Sequence, residues 1–221
     1  MGIPVLIAGE SGTGKTYSIK NLDPEKVGIF LCEKSRLPFR KQFPTYKVRN
    51  MKKIGDDKKE VILRQSVVIQ TILQNPKKKI YVIDDSQYIM ANEFFDRANE
   101  NGYQKFVDIG ANFRNLVHMV NDELPDDVIV YFLHHPETDQ NTGRIKAKTI
   151  GKMLDEKLTL EGCFDIVLFA RTDGETHWFE TQSDGTNTAK SPEEMFTEKK
   201  IPNDLALVDS AIREYYGMEA V

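Results

Sequence analysis

The sequence predicts one α/β domain covering residues 1–221, in which a mostly parallel central sheet is flanked by helices and ends in an antiparallel C-terminal hairpin. Three observations lead there. Short runs rich in Val, Ile and Phe alternate with segments of helical period, the pattern of strands covered on both faces. Two such runs near the end of the chain are joined only by a tight turn, so they pair antiparallel. A chain of 221 residues also has room for one core of ordinary size and would crowd two.

In chain order, strands are expected at residues 4–8, 27–32, 79–84, 127–134 and 164–170, each a short apolar run. A helix is expected over residues 60–74. A second follows from Phe106, Gly110, Phe113, Val117 and Val120, which recur at the three-and-four spacing of one helix face. A third carries Leu205, Val208, Ile212 and Tyr215, with Asn203 as its N-cap and Gly217 as its stop. The hairpin joins residues 164–172 to 175–181 through Asp173-Gly174, residue types that favour a tight turn. Residues 34–59, 136–151 and 184–192 read as the flexible pieces.

With 40% hydrophobic and 29% charged residues, the chain has the balance of a globular protein and not of a disordered one. No apolar run approaches the roughly 18 residues that span a bilayer, and there is no basic leader region, so a cytoplasmic protein without a membrane partner is expected. Cys32 and Cys163 lie in apolar, strand-like surroundings and read as reduced core thiols. Charge is unevenly distributed. Residues 1–79 hold 17 Lys and Arg against 7 Asp and Glu, residues 80–221 hold 13 against 27, and most of the positive excess falls between residues 34 and 59. That stretch reads as a solvated face or as a polyanion site.

Gly9-Glu10-Ser11-Gly12-Thr13-Gly14-Lys15-Thr16 matches G-x-x-x-x-G-K-[ST] at every position, after an apolar strand and before an expected helix. Its glycines let successive backbone N–H groups converge on phosphates, Lys15 bridges the outer phosphates, the Thr16 hydroxyl ligates Mg²⁺, and Tyr17 joins the nucleotide contacts. ATP and Mg²⁺ are the expected cofactors. A second acid must help hold the metal, and Asp84, closing the strand at residues 79–84, is that residue, with Asp85 beside it. The glutamate that many ATPases carry directly after this acid is absent. Glu33, at the end of the strand at residues 27–32, is therefore favoured as the carboxylate that polarises the attacking water, with Asp85 as the alternative. His134 and His135 end a further strand at the edge where ligands bind, and His134 is placed ahead of His135 as a γ-phosphate sensor. His118 and His177 read as structural.

Together these residues resemble RecA-type ATPases. More narrowly, the phosphate-binding loop near the start, Ile83-Asp84-Asp85, the run from Tyr131 through His134, His135, Pro136 and Glu137, and the C-terminal hairpin are similar to phage nucleotide-binding proteins grouped with Sak-type single-strand annealing factors. Residues 148–155 and 188–192 carry the narrower match, and the resemblance covers roughly residues 4–196. It implies a RecA-like ATPase acting in phage recombination or replication in the host cytoplasm, self-assembly into a homo-oligomer, and single-stranded DNA as a partner. It also implies that residues 136–151, with Arg144, Lys146 and Lys148, form a DNA-binding loop, that residues 86–103 form another with Tyr88 or Tyr103 stacking on bases, and that Lys190, ahead of Arg171, reaches a neighbouring subunit's γ-phosphate. No segment precedes the loop of the sort recombinases use to link subunits. Two other function classes stand beside this one. A small-molecule P-loop kinase shares the loop and the acid but places a phosphoryl acceptor where an ATPase has water. A nucleotide-gated binding module hydrolyses little, in keeping with the missing glutamate.

Overall fold

A computed structural model describes residues 1–33, 36–54, 60–150 and 159–221. Its parallel strands arise where the apolar runs were expected: β1 (Ile3–Ala8), β2 (Val27–Leu31), β6 (Ile80–Asp84), β7 (Ile129–His134) and β10 (Ile166–Thr172). Short additions are β3 (Thr45–Lys47), β11 (His177–Glu180) and β12 (Lys200–Pro202), which complete an eight-stranded sheet in the order β12-β11-β10-β1-β7-β6-β2-β3. From β3 to β10 every pairing is parallel, and β10–β11 and β11–β12 are antiparallel. The fold is therefore an α/β P-loop NTPase fold with an antiparallel end. β1 is central, flanked by β10 on one side and β7 on the other, so everything attached to its C-terminal end stands mid-edge.

Every residue of β6 and β7 is buried, because helices cover both faces. Leu6, Phe30, Ile83, Phe132 and Val167 face one layer, made by α1 (Gln65–Leu73), α2 (Gln87–Asp96) and α3 (Gln104–Glu123). Val5, Ile7, Ile29, Val82 and Leu168 face the other, made by a 3-10 helix (Tyr17–Asn21) and α4 (Leu205–Tyr216). The α4 helix is anchored by a buried polar set. Arg213 is 2% exposed and donates to Asp209 at 2.6 Å and to the backbone carbonyls of Asp127 and Lys79, while the Tyr131 hydroxyl donates to Asp209 at 3.0 Å.

Several expectations are corrected. The phosphate-binding loop opens only the five-residue 3-10 helix, not an α-helix. The connection has to run back along the strand before β2 begins at Val27, and 3-10 geometry covers about 2 Å per residue against 1.5 Å for an α-helix. The helix expected from residue 60 starts at Gln65, because Glu60–Ile62 forms β5 against β4 (Lys52–Ile54). The run Val61-Ile62-Leu63 suits either period, and its β-branched residues favour the strand. Asp204, not Asn203, caps α4, its side chain accepting from the Ala206 amide, while Gly217 ends the helix at φ +66° as expected. Residues 136–150 contain an ordered hairpin, β8 (Pro136–Thr138) with β9 (Ile145–Ala147), and residues 86–103 are mostly α2. Residues 184–192 are pinned by Val167 and Lys190, which exchange backbone hydrogen bonds. Of residues 34–59, the described part supplies β3 and β4, and residues 34–35 and 55–59 lie outside the described residues. Residues 151–155 of the narrower resemblance also lie outside them.

Candidate functional site

The loop after β1 turns on Gly12 and Gly14, at φ +87° and +88°, where L side chains are strained. Thr13 closes the turn, its hydroxyl donating to the Glu10 carbonyl at 2.8 Å, and the Gly9 amide donates to the His134 carbonyl at the end of β7. Lys15 is 6% exposed, and its ammonium donates to the Gly9 and Glu10 carbonyls, so the cation already lies inside the loop it serves. The Thr16 hydroxyl donates to Asp84 Oδ1 at 2.8 Å. Two residues separated by 68 positions thus meet at one point as hard oxygen donors, and Asp84 is 1% exposed. That donor set fits Mg²⁺, which binds through one or two protein oxygens plus substrate phosphates.

Over this loop lies a cavity of about 340 Å³ lined by Glu10, Ser11, Gly12, Gly14, Lys15, Thr16, Tyr17, Pro38, His135 and His177. Its size falls in the range of small-ligand sites. All but three of the lining residues belong to the loop or follow it directly. The exceptions come from the connection after β2, the end of β7 and the start of β11.

The remaining expected site residues are placed as follows. Asp85 follows β6 at φ +60°, a left-handed conformation that Asp tolerates better than most residues, and its Oδ1 lies 3.4 Å from His135 Nε2. Glu33 stands just beyond β2, which borders β6 and not β1, and it is held by Arg49 and by Asn92, whose amide donates to it at 3.3 Å. Neither acid lines the cavity. His134 is fully buried, with Nε2 donating to the Lys148 carbonyl and Nδ1 accepting from the Ser86 hydroxyl, each at 2.8 Å. Burial first, and then the neighbouring His135 and Lys15, pull its pKa down to about 4, so it is a neutral structural bridge. His135 lines the cavity while His134 does not, and His177 lines it as well.

Lys190 is bonded through its backbone to Val167, level with Leu6 of β1, and lies outside its own chain's cavity. Of the basic residues after β7, Lys146 pairs with Asp139 at 3.2 Å, Arg144 donates to the Gly185 carbonyl at 3.1 Å, and the Lys148 side chain is exposed. Burial, and then Asp84, Asp85 and Glu33, hold the Cys32 thiol well above its ordinary pKa, and neither Cys32 nor Cys163 is in a disulfide. Among the described residues no helix is long and apolar enough to cross a membrane.

Sequence reasoning missed Pro38, His177 and Asn203, whose amide donates to the Thr13 carbonyl at 3.2 Å. His177 opens the strand that pairs with β10, next to β1, so the hairpin signal carried the information needed to place it at the loop.

A family model described as AAA domain matches residues 1–195. No curated protein matches the chain.

Proposed function

The chain belongs to the AAA domain family over residues 1–195, and from that premise we propose that it binds Mg-ATP on the loop at residues 9–16 and hydrolyses it. The observation that carries this reading is the 2.8 Å contact between the Thr16 hydroxyl and Asp84, which brings the two expected metal donors together beside Lys15. Lys15 exchanges its carbonyl partners for the outer phosphates, and backbone N–H groups of residues 12–16 surround the remaining phosphate oxygens. A bound Mg²⁺ supplies charge neutralisation at the phosphates. Because only a five-residue 3-10 helix follows, loop amides and Lys15 carry the binding and a helix dipole adds little.

His135 lines the cavity with Lys15 and Thr16. Glu33 is our choice as the carboxylate that polarises water: Leu31 is in register with Asp84, so Glu33 extends past the same sheet edge, oriented by Arg49 and Asn92. Asp85 is the rival, backed by His135. The finer reading is an ATPase of phage recombination or replication that acts on single-stranded DNA as a homo-oligomer. It rests on the resemblance and on the exposed cations Arg144 and Lys148, with Lys190 reaching a neighbouring subunit.

The deciding measurement is ATP turnover with and without single-stranded DNA and with candidate phosphoryl acceptors. Lys15→Ala should lower turnover about 100-fold, the loss of one charge-assisted contact of about 3 kcal/mol in the transition state. Glu33→Gln should abolish hydrolysis while ATP still binds. Turnover by Lys15→Ala equal to the parent's, or transfer to an acceptor in place of water, overturns the reading. If Asp85→Asn and not Glu33→Gln stops hydrolysis, the base is Asp85.

A further inference from the structure

The sheet order separates the two sides of the nucleotide cavity. Asp84, Asp85 and His135 stand at the ends of β6 and β7, on one side of β1, and there the metal donors meet Thr16. The cavity is walled on that side by His135 and Pro38 and on the other, towards β10 and β11, by His177. The structure presents two polar side chains from that direction. His177, the first residue of β11, is exposed and lines the cavity. Asn203, between β12 and α4, packs on the loop beside it, so that a Cβ added at Gly14 would lie 3.2 Å from its amide and 3.2 Å from His177 Nδ1. Asn203 donates to Thr13 through Nδ2, while its Oδ1 is buried and accepts no hydrogen bond among the described residues. A buried acceptor without a donor calls for an explanation, and a ligand donor that arrives with the nucleotide supplies one.

We propose that His177 and Asn203 form the nucleoside-recognising wall of the site, His177 offering its ring face to the base and Asn203 Oδ1 accepting a hydrogen bond from a nucleoside hydroxyl or amino group. The inference rests on the nucleotide reading above and adds to it the half of the ligand that the loop does not touch. Asn203 lies beyond residue 195, where the family match ends, so this part of the wall belongs to the chain's own C-terminal segment. That segment is held in place independently. Asp204 caps α4 and accepts from the Asn21 side chain at 2.8 Å, and Leu205, Val208 and Ile212 are fully buried beneath it.

The test compares two ligands that share phosphates and differ in the nucleoside. Mg-ATP and Mg-tripolyphosphate are titrated calorimetrically into the full chain, the parent and the variants His177→Ala and Asn203→Ala, with thermal melts to confirm folding. Loss of one base-stacking face should weaken ATP binding to His177→Ala about tenfold and leave tripolyphosphate binding within about twofold of the parent. Asn203→Ala should also lose more ATP affinity than tripolyphosphate affinity. Equal losses for both ligands, or ATP affinity unchanged in both variants, overturn the wall while leaving the loop assignment intact. A parent that binds neither ligand overturns the nucleotide reading itself, and the wall with it.

Discussion

Acidification should pull the His134 bridge apart, and the loss can be sized. His134 is 0% exposed, and burial depresses its pKa from 6.5 to about 4 against the opposing pull of the Lys148 carbonyl. Between those two values the unfolded chain binds a proton that the folded one excludes. Stability therefore rises with pH through that window and is lost as pH falls from about 6.5 towards about 4. Going from pH 7.5 to pH 5, this one group should remove about 2 kcal/mol. Unfolding in urea, followed by Trp178 fluorescence, measures that loss in the parent and in His134→Gln. The glutamine keeps an amide donor for the Lys148 carbonyl but does not titrate. The variant should start less stable at pH 7.5 and lose about 2 kcal/mol less on acidification. Other groups titrate alike in both proteins, so the difference isolates residue 134. Equal losses in parent and variant would refute a neutral, buried His134 and would return the residue to the list of groups that face solvent or ligand.

The two left-handed glycines should separate strain from contact. A Cβ at Gly12 meets nothing within 4 Å, so Gly12→Ala should cost only backbone strain of about 1–2 kcal/mol, whereas Gly14→Ala, crowded at 3.2 Å by Asn203 and His177, should destabilise more and weaken ATP binding further; thermal melts and ATP titration compare them. Asp209→Ala leaves the buried Arg213 guanidinium without its carboxylate and should lower urea stability by about 3–5 kcal/mol, much of which Arg213→Met should restore in the double variant. If single-stranded DNA binds at the β8–β9 hairpin, replacing Arg144 and Lys148 with alanine should reduce the log-log salt slope of binding by about 1.4, from about 0.7 per phosphate contact. A slope identical to the parent's removes the hairpin from the DNA site.

The parallel strands, α3, the pairing of β10 with β11 and the loop at residues 9–16 were legible because each rests on local chemistry, a period or a spacing that phosphate binding demands, whereas the β10–β11 turn is the four residues 173–176 and not the two-residue turn expected at Asp173-Gly174. The residues from other elements were not legible. His134 and His135 are neighbours in sequence and alternate across the strand end, so one is buried in hydrogen bonds and the other faces the cavity, and only the pleat decides which. Asn203 and Asp204 are equally good caps by residue type, and the choice is made by the loop, which occupies Asn203 through Thr13 and leaves Asp204 for Ala206. The cations at Arg144 and Lys146 invited a reading as a free basic loop, but Gly185 and Asp139 engage both within the chain.

Strand order does what chain order conceals. Glu33 follows the loop by fewer than twenty residues, yet β7 and β6 stand between β1 and β2, a lateral separation of three strand spacings, about 14 Å. Asp84, far later in the chain, is one spacing nearer, and His135 is at the adjacent strand. A carboxylate at Glu33's distance can act at the phosphates only if something directs it along the edge. Arg49 and Asn92 hold the carboxylate from two elements, the connection after β3 and helix α2. The Asn92 amide also donates to Gln65, at the start of α1, and the Gln65 amide donates to the Cys32 carbonyl next to Glu33 in the chain. Buried polar chains of this kind persist only when their members satisfy one another, because an unpaired one is costly away from water. This chain converges on the backbone and the carboxylate of one short segment after β2. The contact with Asn92 therefore couples the position of the Glu33 carboxylate to that of α2.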